Sequence, residues 1–271
     1  MSGGGKLRIL ITGASGAIGT TLRDGLAGRY DLRLCDIRPL GERRPGEEHV
    51  VADLVDPDAA KAAAQGVDAV VHLAGIPREN SWDKILPNNI AATYNVFEAA
   101  HMARAKRIVF ASSNHVIGYY RADREVGTDV MPRPDSRYGV SKVFGEALGR
   151  LYADKHGLSV ICLRIGSFRP APENVRQLAT WISPRDMTEL VVRSIEARDV
   201  HFAVFYGVSA NTRRRWRDDA AQAIGYHPRD DAEIHAARLL GQAEDTASPE
   251  QAFHGGDYCE LEFSGDPGKI A

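Results

Sequence analysis

Ser113, Tyr138 and Lys142 are the residues of this chain whose types and spacing suggest chemistry. Tyr138 and Lys142 lie four positions apart in "SRYGVSKVFGEALGRLYADKH", so a helix there sets a phenol and an ammonium one turn apart on one face. A tyrosine that takes a proton from an alcohol near neutral pH must titrate well below its ordinary value of about 10. Moving it by about three units takes roughly 4 kcal/mol. A lysine charge ~4.5 Å away supplies roughly 1 kcal/mol in water and nearly 4 at an effective dielectric of about 20. The pair is a proton-transfer device only in a partly dehydrated cleft; on an open surface it is an ordinary helix contact.

The elements that must build such a cleft are legible upstream. Apolar, β-branched runs at 7–12, 31–36, 49–52, 68–74, 107–113 and 158–165 alternate with segments of helical length. Near-continuous apolar strands separated by helices predict a parallel sheet covered on both faces, and right-handed crossovers make it doubly wound. The expected fold is α/β, a Rossmann-type sheet over residues 1–166 with a small C-terminal substrate lobe over 167–271, the two forming one integrated domain. After residue 166 the pattern predicts a loop at 169–174, a helix at 183–198 and a strand at 201–208. "NTRRRWRDDAAQAIG" (211–225) reads as a further helix, and the tail from Gly255 has no readable pattern.

"ITGASGAIG" places Gly13, Gly16 and Gly19 between the first strand and the first helix. Glycines there allow a tight turn and let backbone N–H groups approach a pyrophosphate at the helix N-terminus. Asp36 closes the second strand, where a carboxylate can accept both adenosine ribose hydroxyls and repel a 2′-phosphate. NAD rather than NADP is the expected cofactor, with Arg38 able to offset part of the repulsion. Asp53 and Leu54 follow the third strand, where adenine would lie.

With "HLAG" (72–75), "NNIAATYN" (88–95), Ser113 and "YGVSK" added, the chain resembles the extended short-chain dehydrogenase/reductase family over most of its first 170 residues. The resemblance implies Tyr138 as base, Lys142 holding the nicotinamide ribose, Ser113 bonding the reacting oxygen and Asn89 supporting a water relay behind Lys142. It also implies cofactor contacts from Ala17, Ile18, Ile37, Leu73, Ala74, Gly75 and Ile165.

"SSNHVIGYY", "RIGS" and "PENVRQLATWIS" are similar to the bacterial uronate dehydrogenases, which oxidise C1 of D-galacturonate and D-glucuronate with NAD. That similarity implies substrate contacts from Ser113, Asn114, His115 and Ser167, with Arg176 on the C6 carboxylate and an aldarolactone as product. Pro77 stands where a small hydroxyl residue would be expected to touch the sugar. Arg169 and Trp181 are expected in the loop and helix over the pocket. Plainer readings stand beside these: His115 as a satisfied strand-end histidine, Arg176 paired with Glu173, and Arg213, Arg214, Arg215 and Arg217 as a solvated helix face. Rival functions are a related sugar epimerase, dehydratase or aldose dehydrogenase, or a non-catalytic dinucleotide sensor.

Composition bounds the rest. The 271 residues are 44% hydrophobic and 26% charged with a net charge of −2, so no nucleic-acid footprint is expected. Cys35, Cys162 and Cys259 are odd in number and far apart, which predicts neither disulfides nor a metal site. The opening "MSGGGK" has no apolar stretch behind it, and no run approaches membrane-spanning length. The expectation is a cytoplasmic homo-oligomer that acts on a small uronic acid, with no nucleic-acid or membrane partner.

Overall fold

The computed structural model describes residues 5–217, 220–241 and 249–270. Seven parallel strands form the sheet, in the order β3-β2-β1-β4-β5-β6-β9. They are β1 (Arg8–Thr12), β2 (Asp31–Asp36), β3 (Glu47–Val51), β4 (Ala69–His72), β5 (Arg107–Ser113), β6 (Ser159–Ile165) and β9 (Phe202–Gly207). A two-stranded ribbon of β7 (Ser167–Phe168) and β8 (Trp181–Ile182) lies apart from them. The order reverses between β1 and β4, which opens a crevice at the carboxyl ends of those two strands.

Side chains along each strand alternate between two cores. Ile9 and Ile11 of β1 enter one apolar cluster while Leu10 enters the other, so both faces are covered. On the first face lie α1 (Ala17–Gly25) and α7 (Pro184–Glu196), whose Leu22, Leu190 and Val191 are buried there. On the second face lie α2 (Pro57–Ala64), α4 (Ala92–Met102) and α5 (Arg137–His156), contributing Ala60, Phe97 and Tyr152. Short helices complete the list: α3 (Trp82–Ile85), α6 (Gln177–Thr180), α8 (Ala236–Leu239) and α9 (Pro249–Ala252).

After residue 166 the chain forms the small units β7, α6 and β8, then supplies α7 and β9 to this layered core, and ends in further short helices. The helix expected at 211–225 is not there. Trp216 instead bridges to Val126 as an isolated β-pair and stacks on Tyr206 at 5.2 Å, leaving a short 3-10 turn at Ala220–Ile224; residues 218 and 219 lie outside the described residues. The arginines expected to line a solvated helix face are dispersed accordingly. Arg213 pairs with Glu233, Arg215 donates to Ala122 O and Arg217 lies 3.6 Å from Glu125. Among the described residues no helix is long and apolar enough to cross a membrane, and no group of three potential ligands could hold a metal.

Candidate active site

α5 positions the central pair. Its N-cap is Ser136, whose hydroxyl accepts from Gly139 N at 2.9 Å, and it stops at Gly157, which adopts φ 69°. Within it Tyr138 and Lys142 are both buried, facing the ends of β4 and β5. The Ser113 hydroxyl lies near enough to the Tyr138 phenol to favour its ionised form, so the three residues picked by type do converge. Lys142 Nζ donates to Ala111 O at 2.8 Å and lies 5.4 Å from the centre of the Tyr138 ring.

Burial dominates the electrostatics of the pair. It drives the Tyr138 pKa well above the ordinary tyrosine value, against the Ser113 hydroxyl that favours the phenolate. It brings Lys142 down to about 8. The protein alone therefore keeps the phenol neutral, and an added positive charge is what would make it a base.

Behind the pair runs a polar chain whose protons can be counted. Thr12 Oγ1 accepts from Leu73 N and Ala74 N and bonds His72 Nδ1 at 2.7 Å. Thr93 Oγ1 donates to Asn89 O, so it accepts from His72 Nε2 at 3.2 Å. His72 is thus neutral with its proton on Nε2, and burial takes its pKa down to about 3. Asn89 sits in a π-helical turn (Leu86–Ala91), a departure from α-geometry often found at functional sites. Its amide accepts from Ile76 N at 2.8 Å and donates to Ile76 O at 3.0 Å and to Ser141 Oγ at 3.3 Å. Asn89 thereby holds the loop after β4 next to Gly75, which needs its φ of 135°.

The crevice between β1 and β4 fits a dinucleotide. Gly13 has φ 69°, and a Cβ there would lie 2.8 Å from Ala74 N; on Gly19 one would lie 2.5 Å from Gly13 O. These glycines bring strand, loop and α1 together, and no side chain caps the first turn of α1, which leaves its N–H groups for an anion. Asp36 accepts from Ser15 N at 2.9 Å and Arg38 N at 3.1 Å. Burial opposes its charge, but the bonds from Ser15 and Arg38 outweigh it and hold its pKa below the usual range. Arg38 also donates to Ser15 Oγ at 2.6 Å. Ala17 and Ile37 are exposed around this crevice, Ile18 is half-buried, and Ile165 ends β6 nearby. Asp53 is exposed and accepts from Val55 N, while Leu54 is buried in the core.

The expected substrate residues gather at the far side of Tyr138. Asn114 follows β5; the amide orientation that satisfies both its atoms donates to Ile165 O at 3.1 Å and accepts from Arg176 Nη2 at 3.0 Å. Arg176 also donates from Nε and Nη2 to His254 O. No carboxylate among the described residues lies within ion-pair distance of it: Glu173 pairs with Arg169 instead. Burial lowers the pKa of this guanidinium. Ser167 bonds Thr180 Oγ1 at 2.9 Å. Pro77 is exposed at the rim. Trp181, expected over the pocket, is buried with Leu178 and Leu239 and donates to Arg169 O.

Comparison with known proteins shows the family. Residues 9–202 match the NAD dependent epimerase/dehydratase family. The chain belongs to that family. It is 39% identical over 255 residues to a uronate dehydrogenase of Pseudomonas putida, covering 93% of this chain and 95% of that protein. It is 40% identical to an NAD-dependent glucose-6-phosphate dehydrogenase of Haloferax volcanii, covering 83% and 94%. A crystal structure of uronate dehydrogenase from Agrobacterium tumefaciens, a tyrosine-to-alanine mutant complexed with NAD, superposes with a TM-score of 0.90 at 41% identity, covering 93% and 97%.

In this member of the NAD dependent epimerase/dehydratase family, several site residues escape a sequence reading. Glu79 accepts from Tyr138 N at 2.8 Å and pairs with Arg137, which also pairs with Glu262 of the tail. Tyr258, also in the tail, stacks on His115 with ring centres 3.8 Å apart and meets the Tyr138 ring edge-on at 6.1 Å. Asp135 bonds the His115 imidazole. Each acts across 20 or more residues of sequence. The acid three places before Tyr138 was the one available signal.

Proposed function

We propose that the chain oxidises the C1 hydroxyl of D-galacturonate and D-glucuronate to aldarolactones. NAD, when bound, supplies the acceptor for the hydride that leaves C1. Tyr138 takes the C1 hydroxyl proton, with Ser113 holding the same oxygen. Lys142 stays close enough to favour the phenolate: a charge 5–6 Å away contributes roughly 3 kcal/mol at an effective dielectric of about 20. Asp36 selects the unphosphorylated ribose, and Asn89 keeps the loop after β4 in register with Ser141 and α5. Loss of a proton from oxygen and a hydride from carbon turns the cyclic hemiacetal into the lactone, with no water required.

The observation that carries the uronate reading is Arg176, a half-buried guanidinium with no carboxylate of the described residues within ion-pair distance, although Asp257 and Asp135 are near enough to favour its charge; it is bonded through Asn114 to the strand end that bears Ser113. A partly desolvated cation of this kind favours an anionic ligand, and a planar carboxylate suits its donors. The likeness to uronate dehydrogenases at about 40% identity over nearly the whole chain supports the same substrate. A phosphorylated sugar is the second reading, favoured by the likeness to a glucose-6-phosphate dehydrogenase. Arg176→Ala should raise KM for uronates by about 100-fold, as expected for a lost charge-assisted bond, and change KM for neutral aldoses only slightly. Equal effects on both would count against carboxylate binding.

We also infer a cytoplasmic homo-oligomer. Tyr94 and Met102 on α4, with Val140 and Leu151 on α5, leave apolar side chains exposed, which supports pairing of copies through these helices. Residues 1–166 would then act as the nucleotide-binding part and 167–271 as the part that covers the sugar.

A further inference from the structure

Asp135 enters α5 just before the N-cap, and its carboxylate is withdrawn from solvent. Oδ2 accepts from His115 Nδ1 at 2.7 Å and Oδ1 from Ser136 Oγ at 2.7 Å. Glycines make the space: a Cβ on Gly118 or Gly255 would overlap Oδ2, and one on Gly139 would lie 3.2 Å from Oδ1. Three separate segments thus omit a side chain to admit one carboxylate.

The protons around it can be assigned. Ser136 Oγ accepts from Gly139 N, so its own proton goes to Asp135 Oδ1. The carboxylate has none to give, so the proton between it and His115 sits on Nδ1. A neutral imidazole then presents a lone pair at Nε2, for which no described residue provides a partner. The ring cannot turn away, being stacked on Tyr258 and held edge-on to Tyr138 at 5.7 Å.

We propose that Asp135 is a positioning residue that fixes His115 in the Nδ1–H tautomer, so that Nε2 accepts a hydrogen bond from a sugar hydroxyl. The proposal rests on the uronate reading above. Pyranose hydroxyls are donors, and several polar groups near Tyr138 already have partners. Arg176 only donates, Asn114 is used at both ends, and Ser113 Oγ accepts from His115 N at 3.2 Å. His115 Nε2 fills that gap, which makes the dyad a device for recognising a hydroxylated acid and not only an acid.

Asp135→Asn in the full chain tests this. Ser136 keeps an oxygen opposite its proton, so the new NH2 faces Nδ1 and drives the imidazole proton to Nε2. KM for the uronate should rise about tenfold, the scale of one hydrogen bond. Turnover should change by less than about threefold on the same scale, and NAD affinity should hold. Nitrogen NMR of the NADH-bound protein, with His115 assigned by its loss in His115→Gln, should find Nε2 bare in the wild type and protonated in the Asn variant. A wild-type Nε2 that carries a proton, or an unchanged uronate KM in the variant, would overturn the proposal; if the variant does not fold, the wild-type spectrum decides. A wild type that fails to oxidise uronates would strike the reading beneath it, and that shows before any variant is made.

Discussion

Lys142 lies under the ring of Tyr138 with one carbonyl, Ala111 O, as its hydrogen-bond partner, and burial holds its pKa near 8. Its ordinary value is 10.5, so between the two the unfolded chain keeps a proton that the folded one has lost. The folded state therefore bears the full penalty below about pH 8, and stability recovers as pH rises towards 10.5. Lys142→Met should remove turnover and yet raise unfolding free energy at pH 7 by about 2 kcal/mol, the shift of a few units less a lost hydrogen bond. Urea unfolding at pH 7 and pH 9.5 reads it: the gain should shrink at the higher pH, and a gain that stays constant would refute the account. The same burial raises Tyr138, so the phenol stays neutral beside a lysine that is still largely charged at pH 7. That division of labour was legible in the residue types, because only a dehydrated cleft makes a lysine strong enough. What spacing did not reveal is that Lys142 points its nitrogen at a backbone carbonyl and faces the Tyr138 ring, 5.4 Å from its centre.

At the scale of elements, the strand ends and the glycine loop form one rigid junction. Thr12, His72, Thr93 and Asn89 link the end of β1 to the helix that carries Asn89, and Gly13 closes against Ala74. Gly13→Ala should therefore lower NAD affinity by more than tenfold and cost about 2 kcal/mol of stability, since both the positive φ and the close approach oppose a side chain. Isothermal titration with NAD and thermal unfolding would check it, and an Ala variant with wild-type affinity would show that the loop is not what holds the dinucleotide. The strands were readable from sequence because strands buried on both faces are apolar throughout. The segment 211–217 was not. Its charges recur at helical intervals, but Trp216 buries its ring against Tyr206 and pairs with Val126, and that long-range packing outweighs local propensity.

Across the whole molecule, the tail that had no pattern in sequence turns out to wall the site. Arg137 ties it to α5 through Glu262 and to the loop after β4 through Glu79, while Tyr258 covers His115 and His254 supplies the carbonyl under Arg176. Sequence carried Ser113, Tyr138 and Lys142 because their spacing is local to two elements. It could not carry Asp135, Glu79 or Tyr258 as partners, because closure of the fold alone brings them together. On the proposed reading, Tyr138 as base, Arg176 and the His115 lone pair would together suit a hydroxylated acid better than a neutral sugar. The most direct test mixes the purified protein with NAD and, in turn, D-galacturonate, D-glucuronate, galactose and glucose 6-phosphate, and follows NADH absorbance. Rapid signal with the two uronates and little with the others is the predicted result. Silence with both uronates despite measurable NAD binding, or a faster reaction with the phosphorylated sugar, would contradict the account.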